Sequence, residues 1–132
     1  MLPFMPIEDY YRSFGRVDIA LDTTPFSGGT TTCDALWMGT PVVTAPGERS
    51  WSRSAASILT TLGLQDWVAD SQEDYVRRAV QFARNPSTIP ELRKSLRSRM
   101  RESPLMDARR FTRDMEEVYR RIWQSWCNQT GG

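Results

Sequence analysis

The chain has 132 residues, 39% hydrophobic and 25% charged, which is enough to bury one core and fits a single domain. With 17 Lys+Arg against 16 Asp+Glu the net charge is +1, so no global field draws the chain to nucleic acid or to an anionic membrane. Two distant cysteines, Cys33 and Cys127, and no histidine argue against a zinc site or a disulfide framework; with no apolar run near about 18 residues and no basic leader, the reading is a cytoplasmic chain with reduced thiols.

In chain order, the segment through Pro6 reads as a loop. A short helix follows over 7–14, with Glu8 and Asp9 in its first turn and Gly15 at its end. Val17-Asp18-Ile19-Ala20-Leu21 has the β-branched, apolar composition of a strand inside an α/β sheet. Pro25, Ser27, Gly28 and Gly29 form a turn in which glycine allows positive φ and close approach of a ligand to the backbone. Thr30 is then the N-cap of a helix that runs through Ala35, Leu36 and Trp37 to Gly39 at C′. A second buried strand spans 41–45, and Pro46-Gly47-Glu48 turns the chain.

Ser50 or Ser52 caps a helix that carries Ala55, Ile58, Leu59 and Leu62 on one face and stops at Gly63. Residues 67–69 make a third, short strand. Ser71 and Asp74 form a capping box for a helix whose Tyr75, Val76, Ala79, Val80 and Ala83 share a face until Asn85-Pro86 ends it. Pro90 opens the next helix, with Leu92 and Leu96 inward and Arg93, Lys94, Arg97, Arg99 and Arg101 on a solvated side. The last helix, over 107–127, places Phe111, Met115, Val118, Tyr119, Ile122 and Trp126 at helical spacing, as a stripe for core packing. Strands alternating with helices predict an α/β fold with parallel strands, right-handed crossovers, flanking helices and a helical C-terminus.

The residues with most chemical content are Gly28, Gly29, Thr30, Thr31, Thr32 and Asp34. Free N–H groups and the positive dipole end at Thr30 to Thr32, with threonine hydroxyls as further donors, suit a diphosphate. One turn on, the carboxylate of Asp34 is placed to accept hydrogen bonds from a ribose diol. The pattern is neither GxGxxG nor GxxxxGK[ST].

Three separated blocks, LDTTPFSGGTTTCDALWMGTPVVT, PGERSWSRSAASILTTLGL and SPLMDARRFTRDMEEVYRRIW, closely resemble the C-terminal catalytic region of the O-GlcNAc transferase family, which includes the plant SPINDLY protein, an O-fucosyltransferase. The resemblance runs from about Pro6 to Trp126. It implies a two-domain GT-B enzyme with paired Rossmann-like halves, preceded by tetratricopeptide repeats, that transfers a sugar from a nucleotide donor to protein Ser or Thr without a metal or cofactor. The family's His-Thr-Thr or Gly-Thr-Thr motif falls on Gly29, Thr30 and Thr31, and its ribose-binding acid falls on Asp34.

The implied partners are a nucleotide sugar, UDP-GlcNAc or GDP-fucose, and a protein acceptor, together with the N-terminal catalytic half that the chain lacks. Where animal enzymes place a lysine, a histidine and an arginine toward the base, this sequence has Ile7, Tyr10 and Ser13, which leaves uracil or guanine open. The resemblance assigns no catalytic base here. A Rossmann-like half needs about five or six strands. Residues 1–132 therefore read as an incomplete Rossmann-like half, with an uncovered sheet edge and no transferase activity by itself; the alternative reading is a non-catalytic interaction domain derived from the transferase.

Overall fold

The computed structural model describes residues 5–130, so the first part of the opening loop lies outside the described residues. Helices dominate: α1 (Ile7–Ser13), α2 (Thr30–Trp37), α3 (Ser54–Thr61), α4 (Gln72–Arg84), α5 (Ile89–Glu102) and α6 (Ala108–Thr130). Strands β1 (Ala20–Leu21) and β2 (Val42–Val43) form a parallel pair with Ala20 opposite Val42 and Leu21 opposite Val43. The parallel α/β reading holds, and the crossover between the strands carries α2.

The strands are shorter than the sequence predicts. Of residues 17–21 only Ala20 and Leu21 are paired, and Val17, Asp18 and Leu21 are exposed, because β1 pairs on one side alone among the described residues. The ladder extends past the strand ends through Ala20 N–H to Pro41 C=O at 2.8 Å and Asp22 N–H to Val43 C=O at 2.9 Å. In place of a third strand over 67–69 there is one parallel bridge, Thr44 to Val68, closed by Thr44 N–H to Trp67 C=O and Ala69 N–H to Thr44 C=O. β2 is thus central and buried on both faces.

Apolar spacing brings Leu36 of α2, Leu59 of α3 and Leu96 of α5 to a core around Val43, and all four side chains are fully buried. Trp67 stacks on Phe82 with centroids 3.9 Å apart and closes that core beneath α4. Two helix ends behave as the sequence predicts: Gly39 and Gly63 take φ of +85° and +70°, where a Cβ is strained. At the first, Thr40 N–H reaches Ala35 C=O at 2.7 Å, which satisfies an orphan carbonyl of α2.

Three other helix ends differ from expectation. Gly29, not Thr30, is the N-cap of α2, and it supplies no side-chain bond. Neither Ser50 nor Ser52 caps α3, since both lie in a 3₁₀ turn ahead of it; Ser27 of the Gly-rich loop takes the Ala55 N–H at 2.9 Å instead. Before α4, Ser71 accepts the Asp74 N–H at 3.1 Å as a capping box requires, but the Asp74 carboxylate reaches back to the Asp70 N–H rather than to Ser71. Arg78 holds that carboxylate ionised, with its pKa below the usual range.

Two amphipathic faces also turn out differently. On α4 the inward side carries Tyr75, Ala79 and Phe82, while Val76 and Val80 are exposed. On α6 the predicted core stripe lies in solvent: Phe111, Tyr119, Ile122 and Trp126 are all more than half exposed, and only Met115 and Val118 are partly covered. The helix follows a 3₁₀ turn at Pro104–Met106, and most of its apolar side is exposed among the described residues.

The basic side of α5 is more than a solvated face. Arg93 donates to the Val17 C=O at 2.6 Å, Arg97 to the Trp37 C=O at 2.9 Å and Arg99 to the Leu62 C=O at 3.5 Å. The latter two acceptors lie at the C-terminal ends of α2 and α3, where carbonyls lack intrahelical partners and the dipole favours a cation. Arg97 also sits over the Trp37 ring at 5.3 Å.

Candidate functional site

The loop 22–29 leaves the C-terminal end of β1 and delivers the chain to the start of α2. Asp22 organises it, and no sequence motif pointed to that residue. Its Oδ1 accepts the Gly28 N–H at 2.7 Å; its Oδ2 accepts the Ser27 hydroxyl at 2.8 Å and the Thr44 hydroxyl at 2.6 Å. The Asp22 C=O accepts the Tyr75 hydroxyl of α4 at 2.8 Å, and Ser27 N–H donates to the Trp51 C=O at 3.1 Å.

Gly28 and Gly29 are glycines for different reasons, and neither has positive φ. A Cβ on Gly28 would lie 2.7 Å from Thr32 Oγ1 and 2.9 Å from Thr31 Oγ1, so it is the chain's own side chains that crowd this position. A Cβ on Gly29 would meet nothing within 4 Å.

The first intrahelical bond of α2 is Cys33 N–H to Gly29 C=O at 3.0 Å. The N–H groups of Gly29, Thr30, Thr31 and Thr32 precede it and have no acceptor among the described residues, as at any helix start. The three threonines diverge. Thr30 and Thr31 are exposed, whereas Thr32 is buried and its hydroxyl donates to the Gly28 C=O at 3.0 Å, so it braces the loop.

A cleft of about 260 Å³ opens here, lined by Gly28, Thr31 and Thr32 on the loop side, Leu21 and Asp22 from the end of β1, and Tyr10 from α1. Gly29, Thr30 and Asp34 are not among its lining residues. Asp34 is joined to it through Tyr10, whose hydroxyl donates to Asp34 Oδ2 at 3.0 Å; the Tyr11 hydroxyl approaches Oδ1 at 3.4 Å, a weak contact. Burial first, and then the Asp34 carboxylate, push the Tyr10 phenol up to about 12. An ionised Asp34 retains acceptor sites beyond these two bonds, enough for a diol.

On α1, Ile7 is 57% exposed, and Ser13 spends its hydroxyl on the Tyr10 C=O at 2.6 Å. Cys33 is half-buried, and burial first and then the Asp34 carboxylate push its thiol up. No group of three His, Cys, Asp or Glu among the described residues is arranged to hold a metal ion, and no helix among them is long and apolar enough to cross a membrane.

The sequence pattern of glycosyl transferase family 41 matches residues 3–115. A tomato (Solanum lycopersicum) relative, named as a probable UDP-N-acetylglucosamine–peptide N-acetylglucosaminyltransferase SPINDLY, is 40% identical over 97% of this chain and 14% of its own length. Arabidopsis thaliana SEC, with the same probable activity in its name, is 35% identical over 91% of this chain and 12% of its own length. Among solved structures, a mutant O-GlcNAc transferase of Thermobaculum terrenum superposes with a TM-score of 0.87 at 40% identity, covering 99% of this chain and 25% of that one. The chain thus spans a small part of each of these relatives.

Proposed function

The chain belongs to glycosyl transferase family 41, and we propose that it forms the donor-nucleotide-binding part of a larger cytoplasmic protein O-glycosyltransferase of GT-B architecture. In this reading the diphosphate of a nucleotide sugar sits at the start of α2, against the N–H groups of Gly29 to Thr32 and the Thr31 hydroxyl. Asp34, with Tyr10 beside it, receives the ribose. As the sugar leaves, negative charge grows on the diphosphate, and donors already fixed in place stabilise it without reorganising. The chemistry needs no metal or cofactor. The groove that holds the acceptor protein's Ser or Thr and the catalytic base are assembled with segments of the whole enzyme outside residues 1–132, so the chain alone transfers no sugar.

The observation that carries this reading is the cleft at the end of β1, where an exposed Thr31 hydroxyl and unpaired helix-start N–H groups meet beside the family's motif positions. UDP-GlcNAc is the favoured donor, because the tomato and Arabidopsis relatives carry UDP-N-acetylglucosamine in their names. A guanine donor such as GDP-fucose is the second reading, favoured by the uncharged Ile7, Tyr10 and Ser13 along α1.

Titration of the chain with UDP and with GDP, followed by amide NMR so that millimolar binding registers, tests the assignment. Thr31→Ala is expected to weaken the preferred nucleotide by about ten- to a hundredfold, the equivalent of roughly 1.5–3 kcal/mol for a bond to a charged group. Unchanged affinity in that variant removes the phosphate site. Asp34→Ala should lose affinity for UDP and little for its 2′,3′-dideoxy analogue; equal losses would instead mean that Asp34 only anchors Tyr10.

A further inference from the structure

A carboxylate beside a diphosphate site is electrostatically misplaced, since like charges repel most strongly where water is excluded. Yet Asp22 lines the same cleft as Thr31. Its charge is met there by hydrogen bonds from Gly28, Ser27 and Thr44, with no basic side chain among its partners. Such a group persists only if its geometry is worth more than its charge costs.

What that geometry fixes can be traced outward. Asp22 is itself held by Val43 through its N–H and by Tyr75 through its C=O, so its side chain projects from a fixed point on the sheet. Through Gly28 it sets the peptide immediately before the unpaired N–H groups of α2. Through Ser27, which also receives the Ala55 N–H, it ties that peptide to the start of α3. The Gly28 C=O in turn accepts the Thr32 hydroxyl at 3.0 Å, which joins the same residue to the first turn of α2.

Building on the donor-site reading above, we infer that Asp22 is the positioning residue of the diphosphate site. It holds the Gly28 peptide so that the N–H groups of Gly29 to Thr32 and the Thr31 hydroxyl converge on one anion. It makes no contact with the anion itself. Shape, not charge, is what it contributes, and that separates it from a residue that merely tolerates or repels the ligand.

The test sets shape against charge, with UDP as the probe and NMR titration of the 132-residue chain as the measurement. Asp22→Asn removes the charge and keeps an acceptor in place for the Gly28 N–H; its UDP affinity is expected within about threefold of the unaltered chain. Asp22→Glu keeps the charge and pushes the acceptor one methylene further; it is expected to weaken UDP by about tenfold or more, comparable to losing one hydrogen bond to a charged group. Asp22→Ala, if it folds, should match the Glu variant or exceed its loss. The reverse order, Glu retaining affinity while Asn loses it, overturns the inference, as does unchanged binding in all variants. If the unaltered chain binds no UDP, the donor-site reading fails and takes this inference with it. If Thr31→Ala loses affinity while the Asp22 series does not move, only the inference falls.

Discussion

The sheet-and-loop body and the last helix carry comparable apolar patterns and meet opposite fates. Leu36, Leu59 and Leu96 are 0% exposed, whereas Phe111, Tyr119 and Ile122 of α6 keep more than 60% of their surface in water. In the body, loops close as well as helices pack: Asp22, Ser27 and Thr44 satisfy one another, and no buried side-chain N or O among the described residues lacks a partner. Periodicity therefore identifies a face that wants cover. It does not say that the same chain supplies the cover.

The sharpest way to break this contrast is to truncate one side chain in each region. Leu59→Ala removes a fully buried group from the core and should cost about 2–5 kcal/mol, through lost transfer energy and the cavity left behind. Ile122→Ala, on the exposed side of α6, should change the stability of the isolated chain by no more than about 0.5 kcal/mol. Urea unfolding followed by circular dichroism reads both. A loss at Ile122 comparable to that at Leu59 would mean that α6 is covered in solution, and the contrast would collapse.

A finer cut runs within the body, between neighbouring glycines. Gly28→Ala forces its new Cβ against Thr31 and Thr32, and overpacking of this kind costs about 1–3 kcal/mol. Gly29→Ala enters open space and should cost only the poorer N-cap, about 1 kcal/mol or less. Thermal melts of the two variants side by side measure the difference. Equal effects would show that the loop yields more readily than its contacts imply.

These pairs also show what the sequence could convey. Helix positions, the two C′ glycines and the parallel order of the strands were legible, because φ preference and 3.6-residue spacing act locally. The motif at Gly28 to Thr32 was legible as a helix start. The division of labour inside it was not: that Thr32 faces inward while Thr31 faces out depends on where the loop lies against β1 and β2. Asp22 was invisible for the same reason, since its partners come from 5, 6 and 22 residues away. Ser27 capping α3 across 28 residues is likewise a tertiary fact, and so is Arg97 reaching back to α2. Strand lengths were overestimated because how far a ladder runs depends on the path of the partner segments, which composition does not report.

The smallest expected effect concerns the pair that links α1 to α2, Tyr10 and Asp34. In the folded chain the Tyr10 phenol is pushed up to about 12, while a free tyrosine ionises near about 10. The sign follows from which state keeps its proton. Below about pH 10 both states hold it, and the stabilisation is fully present. Between about pH 10 and 12 the unfolded chain releases the proton first, so folding stability falls as pH rises. Tyr10→Phe has no proton to lose there. Its stability should be lower by about 1 kcal/mol at neutral pH, from the lost bond to Asp34, and should decline less steeply through the alkaline range. Tyr75 is also shifted upward, first by burial and then by Asp22, so Tyr75→Phe serves as the parallel variant, and each should remove only its own part of the slope. Urea midpoints measured at about pH 9 and about pH 11 resolve the two contributions. An alkaline decline left intact by Tyr10→Phe would show that the phenol and Asp34 part company in solution, and Asp34 would then stand open to a ribose without its tyrosine.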